Sequence, residues 1–174
     1  RLAARKADHH HGDQLLLTMS VTIAPFSGEW QDKWDAFVRS SRNGTVFHTR
    51  KFLAYHPSDR FKDASLVLLD GQAIVGVFSA AAKDGMLVAH PGASYGGLVV
   101  SPDTSVKETG EMLRLILDYA KKEKYSGLSM LRLPPASLQK KYSEDQQYWL
   151  YQMGFQMTRC EMDGAIDLAG LKED

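Results

Sequence analysis

Cysteine is almost absent: Cys160 is the only one in 174 residues. An intramolecular disulfide is therefore excluded, as is a zinc site built on a Cys/His set, and a reducing, cytoplasmic setting is expected. Cys160 itself reads as a small buried hydrophobe rather than a nucleophile. An excess of one charge is also lacking. Lys plus Arg and Asp plus Glu each number 21, so nothing points to nucleic acid or an anionic membrane as partner. No apolar run approaches the ~20 residues of a membrane span. Leu15-Leu16-Leu17 is too short even for the core of a signal peptide. Neither a P-loop nor a Gly-x-Gly-x-x-Gly pattern occurs. The basic stretches at Lys121-Lys122 and Lys140-Lys141 read as solvated faces.

What is present is an ordinary globular composition. At 44% hydrophobic and 24% charged residues, the chain can bury the core of one domain. Residues 1–18 stand apart. They are polar, carry His9-His10-His11, and read as a flexible or tag-like segment rather than a metal site. Met19-Ser20 reads as a natural start, and residues 19–174 as a single domain. A strand is expected over 21–24, closed by Pro25. Ser27 is a candidate N-cap for a helix whose Trp30, Trp34, Phe37 and Val38 share one face. Asn43-Gly44 ends it. A short helix follows over 49–55, then a strand over 65–69. Asp70-Gly71 and Asp84-Gly85 are hairpin signals, flanking strands over 73–82 and 86–89. Further strands are expected over 97–100 and 127–133. A long helix over 106–124 has Val106, Met112, Leu113, Ile116, Leu117 and Ala120 as its apolar face. A last helix over 144–153 is capped by Gly154, before one or two strands over 155–168. The resulting order is β-α-α-β-β-β-β-α-β-α-β(β), a mixed α/β (α+β) domain with a mostly antiparallel sheet.

The chemistry-bearing residues gather in two stretches. In His90-Pro91-Gly92-Ala93-Ser94-Tyr95-Gly96-Gly97, a Gly-rich turn carries an imidazole, a hydroxyl and a phenol into a strand. Loops of this kind let a backbone approach a ligand closely. His90 is either a general base or a ring that caps its own turn. Tyr95 either donates a proton or is a half-buried aromatic at the start of a strand. Gly96 and Gly97 allow close approach to a substrate or form a bulge. Ser94 lacks the Gly-x-Ser-x-Gly elbow of a nucleophile and stands only as a binding candidate. The second stretch is Phe47-His48-Thr49-Arg50. Arg50 offers a bidentate fork for a phosphate or carboxylate, or is solvated in the first turn of a helix. His56, before Pro57, reads as a turn residue. Arg132 faces a cleft or pairs with a carboxylate, and Tyr148 to Tyr151 is either a core face or part of a site.

These stretches, in this order, resemble the GNAT acyltransferase fold. Gly97 to Pro102 is similar to the family's strand before its acyl-CoA loop, and Met112 to Ala120 to the helix after it. Tyr148-Trp149-Leu150-Tyr151-Gln152-Met153-Gly154-Phe155 is similar to its late Tyr-x-x-x-Gly-Phe helix end. Residues 44–53 together with 90–97 resemble the Fem-type branch, which includes aminoacyltransferases of cell-wall precursors. The resemblance implies transfer of an acyl or aminoacyl group to an amine of a cell-envelope sugar or a nucleotide-linked precursor. It implies acetyl-CoA or another acyl donor and no metal. It places Tyr151 near a leaving thiolate, and puts Val99, Val100, Thr104, Ser105 and Lys107 beside the donor. Two departures stand out. Residues 103–110 hold one Gly, no Arg, and the acidic Asp103 and Glu108, where the family's loop cradles a pyrophosphate at a helix N-terminus. The Fem-type branch also commonly pairs two such domains. A missing second domain, a homodimer or a half-size relative would each account for one. A non-catalytic, acceptor-binding domain is the alternative function.

Overall fold

The computed structural model describes residues 20–57, 59–132 and 144–159. The expectations for residues 1–18, for Pro134-Pro135 and Lys140-Lys141, and for Cys160 and the strands beyond it lie outside that range.

Strand pairing in the first half follows the hairpin chemistry. Strand β1 (Val21–Pro25) runs antiparallel to β3 (Leu66–Asp70), with Ile23 opposite Leu68. β3 turns into β4 (Ala73–Phe78). The turn sits one residue later than the Asp-Gly pair suggests. Asp70 is the last strand residue, paired with Ala73, and Gly71 opens the loop with φ 59°. The second hairpin falls as expected. β5 (Ala80–Lys83) and β6 (Met86–Ala89) flank Asp84-Gly85, whose φ values of 50° and 74° are both positive, as a type I′ turn demands.

The strand expected over 73–82 is not continuous, and the cause lies in its partner. Phe78 pairs with Leu98 of β7 (Leu98–Val100), whereas Ala80 pairs with Ala89 of β6. Ser79 is thus opposed by an eight-residue excursion, 90–97. The ladder divides there into two four-stranded sheets, ordered β1-β3-β4-β7 and β2-β5-β6-β8. β2 is the short edge strand Lys62–Asp63. β8 is only Leu128–Ser129, parallel to β6, where a strand to residue 133 was expected. Residues 155–159 take no strand conformation.

Helices cover both faces. α1 (Gln31–Ser40) follows a 3-10 turn that Ser27 caps, the Ser27 hydroxyl bonding Glu29 rather than the backbone. α1 buries Trp34 and Val38 against Val67, Val77 and Val99. The Trp34 indole N–H donates to His48 O at 2.8 Å, so a fully buried ring also has its polar group satisfied. Truncating such a side chain costs about 3–5 kcal/mol. α2 (Arg50–Leu53) starts at Thr49, whose hydroxyl accepts from Phe52 N–H. On the opposite face, α3 (Val106–Lys122) lays Met112, Leu113, Ile116 and Ala120 on Leu66, Leu68, Phe78, Leu98 and Val100. Val106, expected on that apolar face, is instead 53% exposed in the first turn. α4 (Asp145–Gln152) closes with Gly154 at φ 81°, the left-handed C-cap expected.

Candidate functional site

The excursion 90–97 folds back over α2 and brings the two chemistry-bearing stretches together. The Phe47 ring meets Tyr95 edge-on at 5.7 Å and Phe52 at 5.2 Å. The His56 ring stacks on His90, with centroids 6.0 Å apart and planes 14° from parallel. Phe61 stands edge-on to both imidazoles. His56, read from sequence as a turn residue, is thus part of the cluster. Its Nε2–H donates to Gly92 O at 2.7 Å, and Arg60 donates to its Nδ1. Gly92 is required for that approach, because a Cβ there would lie 2.3 Å from His56 Nε2. Ser94 is exposed on the loop, while Gly96 and Gly97 are buried at its return. Gly96 N–H donates to Leu131 O.

Hydrogen bonding sets the state of His90. Gly92 N–H donates to its Nδ1 at 3.3 Å, so the neutral ring carries its proton on Nε2. Among the described residues nothing accepts from that Nε2. Burial lowers the His90 pKa to about 4; Asp63 opposes the shift, while Arg50 and His56 add to it. In this geometry His90 presents an Nε2–H donor toward the cluster. Asp63 is tuned by the same neighbourhood. Burial alone would raise its carboxyl, but hydrogen bonds from Ser65 and Arg50 and the guanidinium charge outweigh this and hold it below the ordinary range.

Several candidates have internal partners. Arg50 does not stand in solvent: it grips Asp63, bonds Ser65 Oγ at 3.0 Å and lies 3.9 Å over the Phe26 ring. His48 is buried, its Nδ1 accepting from Thr45 N–H, and burial lowers its pKa to about 4. Arg132 bonds Gln147 of α4. Tyr151 is 78% exposed on α4, so it belongs to no core face. On the donor side, Val99 and Val100 are buried in β7, and Thr104 is buried with its carbonyl bonded to Arg42. Ser105 caps α3, and Lys107 pairs with Glu111 on the surface. No metal-ligating cluster and no helix long and apolar enough to cross a membrane occurs among the described residues.

One polar atom is unexplained by the protein itself. Ser79 Oγ is the only buried side-chain N or O without a hydrogen-bond partner among the described residues. Phe78 and Ala80 both point into the α3-side core, so strand alternation turns Ser79 toward the α1/α2 face.

The fold is that of the GNAT acyltransferases. A ribosomal-protein-alanine N-acetyltransferase from Brucella melitensis biovar Abortus 2308 is similar over 84% of this chain and 99% of its own, with TM-score 0.52 at 16% identity. An aminoglycoside 6'-N-acetyltransferase from Acinetobacter haemolyticus covers the same shares, with TM-score 0.46 at 15% identity. No protein-family model matches the chain, and no curated protein matches it in sequence.

The family resemblance read from the sequence expects an acyl-CoA donor beside β7, with its pyrophosphate at the start of α3. The residues here fit it poorly. Ser105 Oγ accepts from Glu108 N–H, and the Glu108 carboxylate accepts from Ser105 N–H. This capping box places a negative charge where a pyrophosphate would sit. The edge of β7 is filled as well: Leu98 O accepts from Asn43 Nδ2 and Gln146 Nε2, and Val100 N–H donates to Asn43 Oδ1. Sequence reading took Asn43 for the end of a helix. Nothing local in the sequence signals a contact 55 residues away.

Proposed function

We propose that this chain serves in N-acyl transfer, and that its acceptor side is the cluster of His90, His56, Phe47 and Tyr95. The observation that carries this reading is the convergence of the two stretches on a neutral His90 whose Nε2–H has no partner among the described residues, within a GNAT fold. An activated acyl group forms a bond to the acceptor nitrogen as the bond to its leaving group breaks, and the proton the nitrogen loses goes to that leaving group. The residues in the cluster act by holding and orienting. His90 donates to an acceptor oxygen, the Phe47 and Tyr95 rings form an apolar wall, and Asp63–Arg50 fixes the charge nearby. A neutral donor suits the hydroxyl and amide oxygens of an acceptor such as the amino sugar or peptide precursor of the cell envelope implied by the Fem-type resemblance. Cationic peptide amines, in the manner of a ribosomal protein, are the competing acceptor class.

The test is mass-spectrometric detection of acylated product, with acetyl-CoA and an aminoacyl ester as donors and amino sugars and peptides as acceptors. His90→Gln should lower the rate about 10–100-fold while leaving its pH profile flat between pH 5 and 8. An ionisation near pH 6.5 that vanishes in His90→Gln would show that His90 is a base, against the tautomer described. A second reading, an acceptor-binding domain without catalysis, is favoured by the filled β7 edge. Acceptor binding without product from either donor would select it, with the donor brought by a second domain or a second copy.

A further inference from the structure

The segment after α1 lies across the free edge of β7 and completes it. Arg42 N–H donates to Val100 O at 3.0 Å. The Asn43 carboxamide donates to Leu98 O at 2.8 Å and accepts from Val100 N–H at 3.0 Å. One side-chain amide thus meets a strand as a neighbouring peptide group would. The placement is anchored, not incidental. Arg42 bonds Thr104 O at 2.9 Å and pairs with Asp145, a carboxylate that also accepts from Thr109 Oγ1. The side chains of that pair are 12% and 2% exposed, so the anchor is a largely buried ion pair. From the other side, Gln146 adds a second donor to Leu98 O. Trp149 of α4 seals the approach by packing on Gly110 and donating to Val106 O.

We infer that Asn43 closes the donor edge of this domain: its carboxamide occupies the main-chain positions of Leu98 and Val100 with which the amide arm of acyl-CoA would pair. Acyl-CoA does not enter there while Asn43 is in place. The inference rests on the acyl-transfer reading only for the identity of the excluded donor.

Two measurements test it. The first needs no donor: amide hydrogen exchange at Val100 in wild type and in Asn43→Ala should differ about tenfold or more, faster in the variant. The second is calorimetric titration with coenzyme A. Wild type should show no saturable heat at about 1 mM, the top of the usual substrate range, and Asn43→Ala should bind. If Asn43→Ala does not fold, Asn43→Ser keeps a polar side chain too short to meet both Leu98 O and Val100 N–H, and should open the edge likewise. Unchanged Val100 exchange in the variant overturns the closure. Equal coenzyme A binding by wild type and variant overturns the exclusion, as does an exposed Val100 with no binding. Transfer from an aminoacyl ester by the wild type is unaffected by any of these results, so the acyl-transfer reading stands or falls separately.

Discussion

Acidification from pH 7 to pH 5 should cost this fold stability through two histidines. His48 and His90 are both buried, and burial lowers each pKa from 6.5 to about 4. The unfolded chain therefore gains a proton on each as pH falls through 6.5, while the folded chain stays neutral until about 4. Stability rises with pH wherever the unfolded state binds more protons. The contribution is thus complete above about pH 6.5 and is lost progressively down to about 4. At pH 5 the difference in proton binding amounts to about 2 kcal/mol for the deeply buried His48 and to less for His90, whose open Nε2 keeps it partly screened by solvent. Set against a usual total of about 5–15 kcal/mol, that is a large share. Asp63 cannot contribute in this window. Its carboxyl is held below 3.8, so its stabilisation is lost only at still lower pH. Urea unfolding at pH 7, 6 and 5 measures the effect. His48→Gln should remove most of the pH dependence and His90→Gln a smaller part. Equal unfolding free energies at pH 7 and pH 5 in the wild type would refute the reasoning.

Two substitutions probe the packing around the site. Ser79→Ala removes the unpartnered buried hydroxyl and should raise stability by about 1 kcal/mol in thermal or urea unfolding; a loss of acceptor affinity in the same variant would mark Ser79 as a ligand contact. Gly110→Ala gains about 1 kcal/mol of helix propensity. The new Cβ, however, would lie 2.4 Å from the Trp149 ring. Displacing that ring and its bond to Val106 O should leave the variant about 2 kcal/mol less stable in urea unfolding.

Legibility in the sequence tracked how local the cause was. α3, with Ser105 and its apolar face, and α4, with Gly154, are set by residues within a few positions of one another. The Asp84-Gly85 hairpin is equally local. The break at Ser79 is not, because the strand over 73–82 reads as continuous apolar sequence and only the partner strand's excursion divides it. The site shows the same split. His90, Tyr95 and Phe47 stood out by residue type and by the glycines beside them. His56 looked like a turn because its partner, Gly92, lies 36 residues on. Arg50 was recognised as a fork, but Asp63 and Ser65, which it engages, carry no local mark. The tautomer of His90 comes from a bond to the N–H of Gly92, a detail of loop conformation that spacing does not encode.

The excursion 90–97 has a consequence for how this scaffold can change. Residues 76–78 with 98–100 and residues 80–83 with 86–89 each keep their own register. A sheet normally resists insertion, since a slip of one residue turns every side chain to the wrong face. Here residues can be added to or removed from the middle of the excursion while neither ladder shifts. The loop can therefore vary as an exchangeable cassette, on a framework that does not have to refold around it.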